Sequence, residues 1–260
     1  MRLQHYHNNY KKLLTVIILL SSFFLQGQIV NIENLRHDID SLGWSGHAKL
    51  DLQLEKNNAN RILNFSNQLR LQYKAKKSTW FLIHDMALKE FNGSQIINNS
   101  TQHLRFSHEL SSKISYEAFL QSQSDRISEI RLRFLAGTGL RFNLFKTEKT
   151  KAFLGTTVMY EYENSFDEVE SIHNDLRKSM YLSFQIKPTE NISIVSASYY
   201  QPLLNNFSDF RILSETSLLF NVLKNLKFIT TIHYVYDSFP VASVAKEQYK
   251  ISNGLVYFFD

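Results

Sequence analysis

Along most of this chain apolar side chains fall on every second residue, and that spacing leaves little freedom in what it can become. In the stretch 44–55, Trp44, Gly46, Ala48, Leu50, Leu52 and Leu54 alternate with Ser45, His47, Lys49, Asp51, Gln53 and Glu55. In the last stretch Tyr249, Ile251, Leu255, Tyr257 and Phe259 alternate with Lys250, Ser252, Gly254, Val256 and Phe258, ahead of a final Asp260. A side-chain period of two belongs to the β-strand, whose successive side chains point to opposite faces. Each such segment therefore carries one oily face and one mostly polar or small face.

The same alternation recurs at 63–73, 79–89, 103–110, 113–121, 128–144, 151–163, 175–187, 191–201, 209–221 and 226–236, which makes 12 segments in all. The third is the least regular, because Trp80, Phe81, Leu82 and Ile83 run together. An even count puts both ends of a closed antiparallel barrel on one side. The connections alternate in length: 74–78, 111–112, 145–150, 188–190 and 222–225 are short, whereas 90–102, 122–127, 164–174, 202–208 and 237–247 are mostly longer. Short turns on one rim and long loops on the other are expected of a barrel in the outer membrane.

The polar faces carry charges in mid-segment, and this sets which face points inward. Glu129, Arg131, Arg133 and Arg141 lie on the sixth segment, Glu161 and Glu163 on the seventh, Asp175 and Arg177 on the eighth, Asp209, Arg211 and Glu215 on the tenth. Most segments run about 9 to 17 residues, enough for the ~9–11 that cross a bilayer at a tilt. Within lipid every backbone polar group must be paired inside the protein, so strands cross only as a closed barrel, with oily faces outward and charges in the lumen. The fold class expected is thus all-β: a closed antiparallel transmembrane β-barrel of about 12 strands over residues 43–260, after a periplasmic lead-in at 28–42. A soluble secreted sandwich is the alternative. Gly137, Gly139, Gly155 and Gly254 fall on the inward register and are read as space for large inward side chains such as Tyr181 or Tyr199.

The first 27 residues read as a secretory signal peptide. Arg2, Lys11 and Lys12 precede Leu13–Leu25, 13 residues without a charge, and Leu25-Gln26-Gly27 offers a small residue before Gln28. That run is shorter than the ~20 apolar residues of a spanning helix. Without the leader, 26 basic residues stand against 24 acidic ones, so the high pI owes much to the leader and nucleic acid is not an expected partner. The absence of cysteine excludes a lipoprotein anchor and a disulfide framework. The destination expected is the outer membrane of a Gram-negative bacterium, reached through the periplasm, with outer-membrane lipid as surroundings.

Aromatic residues sort by height. Trp44, Tyr73 and Phe259 fall near the short-turn rim; Tyr160, Tyr162, Tyr200, Tyr234, Tyr236 and Tyr249 fall near the long-loop rim. Rings with a polar handle favour the membrane–water interface, which would make these residues two girdles; ordinary strand preference for Tyr and Phe is the plainer explanation. The charges at 129, 131, 133, 141, 161, 175, 177, 209, 211 and 215 are the candidate lumen lining. They could set ion and solute preference along an aqueous route, or pair with one another across a plugged lumen.

Catalytic patterns are weak. Some outer-membrane barrels are lipid-cleaving enzymes with a His-x-Ser pair, because the histidine must reach the serine it activates; no His-x-Ser occurs in this chain. Ile251-Ser252-Asn253-Gly254 resembles the phospholipase motif, but Lys250 stands where histidine is needed. His84 and Asp85, as neighbours on a strand, would face opposite ways. His173 and Asp175 flank an acidic stretch (Asp167, Glu168, Glu170) that reads as a solvated loop, and no metal-ligand spacing of the strong kind is present. Neither a catalytic set, a cofactor nor a metal is expected.

Two stretches carry a resemblance. The closing alternating strand, with an aromatic near its tip, resembles the last strand of bacterial outer-membrane barrels, which implies recognition by the barrel-insertion machinery; Asp260 departs from the pattern, in which the aromatic is the final residue. Val30-Asn31-Ile32-Glu33-Asn34-Leu35-Arg36, leading to Gly43-Trp44-Ser45-Gly46, resembles a Bacteroidetes-type outer-membrane β-barrel family of unknown function, similar to a salt-stress-induced outer-membrane protein family. The resemblance implies an outer-membrane barrel over 28–260 and supplies no catalytic residue. The functions that follow are a narrow solute or ion channel or an envelope-integrity component. The alternatives are an enzyme acting on lipid or peptide at the outer rim, or a closed barrel that works through its outer loops.

Overall fold

A computed structural model describes residues 42–57, 60–166, 172–241 and 243–259. The signal peptide expected at 1–27 and the lead-in up to residue 41 lie outside the described residues. The described chain forms 12 strands: β1 (Gly43–Lys56), β2 (Arg61–Lys74), β3 (Ser78–Phe91), β4 (Ser94–Glu109), β5 (Ile114–Asp125), β6 (Ile130–Lys146), β7 (Thr150–Ser165), β8 (Ile172–Thr189), β9 (Ile192–Pro202), β10 (Phe210–Asn221), β11 (Leu226–Asp237) and β12 (Glu247–Phe259). Each pairs antiparallel with the next in sequence, and β12 returns to lie beside β1. At that seam, among the described residues, the ladder consists of Gly46↔Phe259 and His47↔Phe258.

The two faces are sorted as a bilayer requires. Outward-facing Leu120, Leu154, Leu176, Leu182 and Ile232 are exposed, whereas inward-facing Glu117, Glu161, Gln185 and Arg177 are at most 3% exposed. A water-soluble barrel would show the reverse. The backbone hydrogen bonds run from strand to strand, which leaves the outer surface with apolar side chains to offer lipid.

Strand ends differ from the sequence expectation in one instructive place. Instead of a long connection at 90–102, β3 and β4 join through a two-residue turn, Asn92-Gly93, with φ of 51° and 82°. Positive φ at both central residues is the type I′ geometry that Asn-Gly favours, because its twist matches that of the flanking strands. Asn92 also ties the turn to β2: its Oδ1 accepts from the Arg61 N–H at 2.7 Å and its own N–H donates to the Arg61 carbonyl at 2.8 Å. The extra strand length, Ser94 to Gln102, faces outward with Asn98, Ser100 and Gln102 and lies beside Ser122 and Ser124 of β5. Polar residues on both faces fit a hairpin that rises above the hydrocarbon, and that is why alternation did not mark it. At the same rim β5 runs on to Asp125 and β8 starts already at Ile172, beyond the expected ends. The contrast between the rims is accordingly sharp only in the second half, where 166–171, 203–209 and 238–246 separate strands.

Two of the four inward glycines make room for rings, whereas a Cβ at Gly139 would meet the Thr156 carbonyl of the neighbouring strand. A Cβ at Gly155 would strike the Tyr181 ring, and one at Gly137 would come within 2.5 Å of the Phe119 ring. The wall is notched where the lumen is fullest.

Candidate functional site

Alternate residues of adjacent strands stack into layers across the lumen, and three layers matter. Lowest, toward the short-turn rim, Arg141 lies over the Phe153 ring at 3.8 Å and donates from Nη1 to the Tyr181 hydroxyl at 3.1 Å. The Tyr181 hydroxyl donates to Glu117 Oε2 at 2.8 Å, and Arg105 Nη1 reaches the same oxygen at 3.2 Å. Arg105 Nε donates to His103 Nε2 at 3.3 Å, which assigns the ring proton to Nδ1, and that proton goes to Gln121 Oε1 at 2.9 Å.

The middle layer is a plug of side chains. Phe119, Leu135 and Met159 pack together on one side, and Tyr181, Ala197, Tyr199 and Leu213, with Val235 against them, pack on the other. All seven buried members are no more than 8% exposed, and the gap left among them is about 20 Å³, room for about one water. The layer is contributed by β5 to β10, with Val235 of β11 against it.

Above the plug lies a cavity of about 830 Å³. Its floor is an ionic chain. Glu161 accepts from Arg177 Nε at 3.0 Å and from Arg211 Nη1 at 2.8 and 2.9 Å. Arg177 continues to Asp209 at 3.0 Å, Arg211 to Asp237 at 2.8 Å and to Glu163 at 3.3 Å, and Arg133 joins Glu163 at 2.6 Å. Glu161 is 1% exposed, so its charge depends on these guanidiniums; buried ions persist only when paired and hydrogen-bonded. Around the cavity six carboxylates (Glu129, Glu161, Glu163, Asp175, Asp209, Asp237) outnumber three guanidiniums (Arg133, Arg177, Arg211). Val235, Phe239, Pro240, Val241 and Val244 line it as well, from β11 and the loop after it.

Of the residues expected along the lumen, Glu129, Arg133, Glu161, Asp175, Arg177, Asp209 and Arg211 meet at this cavity. Three do not. A bulge between Ile130 and Leu132 gives the luminal position to Ile130, 3% exposed, and turns Arg131 over the Phe166 ring at 5.2 Å. Arg141 sits below the plug. Glu215 lies 3.8 Å from His233, apart from the cavity lining. Glu129 belongs to the turn before β6, with φ of 55°, rather than to the strand. Asp237 was expected to begin a loop; it closes β11, where strand parity points it inward beside Arg211. Glu117, Arg105 and His103 were also missed as a luminal group, although their parity on β4 and β5 was available.

The aromatic residues are arranged by rim. Trp44 and Tyr73 face outward 5.1 Å apart near the short-turn rim, next to a Trp80–Phe106 pair at 4.6 Å. Near the other rim Tyr200, Phe210 and Tyr236 form a row with centroids 5.5 and 5.7 Å apart. Tyr160 there donates to Asn174 Oδ1 at 2.6 Å, Tyr162 lies one step further up β7 on the same face, and Tyr234 is the cross-strand partner of outward Tyr249. The Phe259 side chain is outside the described residues.

His84 and Asp85 do face opposite ways: Asp85 is held in the lumen by Arg70 at 2.5 and 2.6 Å, while His84 meets Gln102 outside. A serine–histidine contact exists at Ser78 Oγ and His108 Nδ1, 2.8 Å apart, on the lipid-facing side of the short-turn rim with Phe106 stacked on the ring. That rim is opposite to the outer rim, where an enzyme acting on lipid or peptide would work. Among the described residues no group of His, Asp and Glu has the geometry to hold a metal ion.

The family described as a protein of unknown function, DUF481, matches residues 50–259. The chain belongs to this family. The match covers the barrel and begins after the residues 30–46 that carry the Bacteroidetes resemblance, so it leaves lineage and salt stress aside. No match was found among curated proteins. Among solved structures this DUF481 barrel is similar to the COG4313 outer membrane channel from Pseudomonas putida F1, at 11% identity over 89% of this chain and 100% of that one, with a TM-score of 0.50. The NanC porin is similar over 83% of this chain and 98% of its own at 10% identity and a TM-score of 0.47. The KdgM porin is similar over 84% and 98% at 13% identity and a TM-score of 0.42. At such identities the first likeness speaks for the fold alone: the fold is that of an outer-membrane channel barrel.

Proposed function

We propose that the protein is an outer-membrane channel with its gate at mid-lumen and a solute-binding vestibule above it. One observation carries this reading: an 830 Å³ acidic cavity ends on a layer of rings and aliphatic side chains that β5 to β10 send into the lumen. A plug made of Phe119, Leu135, Met159, Tyr181 and Tyr199 opens by rotamer changes, whereas a folded-in loop would need a backbone movement. The excess of carboxylates raises the local concentration of cations, so the vestibule favours small cationic solutes. Such a barrel stands in the outer membrane with its long loops outside, its aromatic rows at the two interfaces, and its last strand available to the insertion machinery. A role in osmotic or salt stress is compatible with a barrel that is closed at rest, and a deletion strain challenged with high salt tests it.

Single-channel recording in a planar bilayer tests the gate. Wild-type protein is expected to stay mostly closed, with rare small steps, while Tyr181→Ala with Phe119→Ala conducts continuously. Reversal potentials in a salt gradient are expected to show cation preference, reduced in Asp175→Asn. Silence of both proteins, with folding verified by heat-modifiable gel mobility, would overturn the channel and leave the vestibule as a binding site only.

A further inference from the structure

The wall of the barrel is not uniform. Among the described residues β1 is laddered to β2 over its whole length, and β12 to β11 from Glu247 to Tyr257, yet the two meet each other only at Gly46↔Phe259 and His47↔Phe258, at the short-turn rim. The consequence appears in exposure. Leu50, Leu52 and Leu54 are 66–71% exposed and Tyr249 70%, against 41–49% for Leu120, Leu154 and Leu182 on the continuous wall. On the luminal side Asp51, Gln53 and Glu55 are exposed too, as is Ser252 on β12, whereas luminal Asn64, Ser66, Gln68 and Arg70 of β2 are half-buried and Glu117, Gln121, Glu161 and Gln185 on β5, β7 and β8 are buried. The seam is parted toward the long-loop rim.

The parted edges nevertheless match. Continuing the register of the two existing pairs sets Leu50 opposite Leu255, Leu52 opposite Asn253, Leu54 opposite Ile251 and Lys56 opposite Tyr249 on the outside. The same register sets Asp51 opposite Gly254, Gln53 opposite Ser252 and Glu55 opposite Lys250 on the inside. Two apolar pairs, Leu50 with Leu255 and Leu54 with Ile251, would face lipid, and the Glu55 carboxylate would face the Lys250 ammonium in the lumen, as cross-strand pairing favours. Hydrocarbon does not tolerate unpaired backbone, so closing this edge is strongly favoured unless something else occupies it.

We infer that the β1–β12 seam is a lateral gate, hinged at residues 46–47 and 258–259, that admits an amphiphile with a cationic head group between the lumen and the outer leaflet. When the gate is open, an alkyl chain lies along Leu50, Leu52 and Leu54 while the head group takes the place of Lys250 beside Glu55 and Asp51. The gate is independent of conduction through the mid-lumen, and its test reads distances rather than current.

The protein has no cysteine, so introduced thiols are unique. Spin labels on Leu54→Cys/Ile251→Cys, in vesicles, are expected to give two separations: a short one, with Cβ atoms ~5 Å apart as in cross-strand neighbours, and a long one. Leu54→Cys/Leu63→Cys, on strands laddered throughout, is the control and gives the short one only. Dodecyltrimethylammonium is expected to raise the long fraction about twofold or more, and dodecyl sulfate is not. In a separate double variant, Leu50→Cys/Leu255→Cys is expected to form a disulfide that reductant reverses, in a yield that dodecyltrimethylammonium lowers and dodecyl sulfate does not. A single short separation, or edges that never cross-link, overturns the gate; two separations that ignore the cationic amphiphile overturn its proposed traffic.

Discussion

Glu161 is the residue on which most of the luminal charge converges, since it accepts from both Arg177 and Arg211. Removing its charge leaves two buried guanidiniums competing for the remaining carboxylates. Glu161→Gln is therefore expected to lower stability by ~3–5 kcal/mol, the range for breaking a buried pair by removing one partner. Asp175→Asn, on the rim of the same cavity, should cost under ~1 kcal/mol. Urea unfolding in vesicles, followed by tryptophan emission, measures both. Gly155 is the other position where one atom decides: its hydrogen is the floor beneath the Tyr181 ring. Gly155→Ala should cost ~1–3 kcal/mol by overpacking, and Tyr181→Ala in the same chain should remove most of that penalty, a non-additivity that a double-mutant cycle reads directly.

At the scale of strands, inside and outside are separable by one-residue steps. Leu182 faces lipid and Ser183 faces the lumen on β8. Leu182→Arg is expected to destabilise the vesicle-inserted barrel by ~2–4 kcal/mol, and Ser183→Ala to be nearly neutral; equal, small effects would argue against a lipid-facing wall. Gly93 holds the turn between β3 and β4 at φ of 82°, so Gly93→Val should cost ~1–2 kcal/mol and slow refolding of that hairpin. Strand number, parity and the inward charges were readable because alternation is strong wherever one face meets lipid. The reading failed where that contrast ends. From Asn98 to Gln102 both faces are polar, so a strand looked like a loop, although Asn92-Gly93 was a turn signal in plain sight. Ile130 and Arg131 exchanged roles because a bulge shifts parity by one and leaves no mark in composition. Whether luminal charges line a route or seal it could not be read at all, since that depends on which side chains meet across the barrel: Phe119 with Met159, and Tyr181 with Tyr199.

For the whole molecule, the two tryptophans, Trp44 and Trp80, both face outward near the same rim. Their emission should report insertion from one height only. Lipids brominated close to the head group are expected to quench it more than lipids brominated at mid-chain, and the opposite order would place that rim at the bilayer centre. Combined with protease cleavage at the loop around 238–246, the same sample yields the orientation of the barrel in the membrane.

The order of strands around the wall is the order of strands along the chain. Every ladder but one therefore closes a loop of a few residues, so most of the barrel can be assembled hairpin by hairpin at low entropic cost. The exception joins the two ends of the described chain through a pair of residues on each. The cost of circularising the barrel is concentrated at that single junction, which makes closure the expected last and slowest step of folding. A half-inserted sheet with ten or eleven ladders complete is the intermediate most exposed to capture by another open edge.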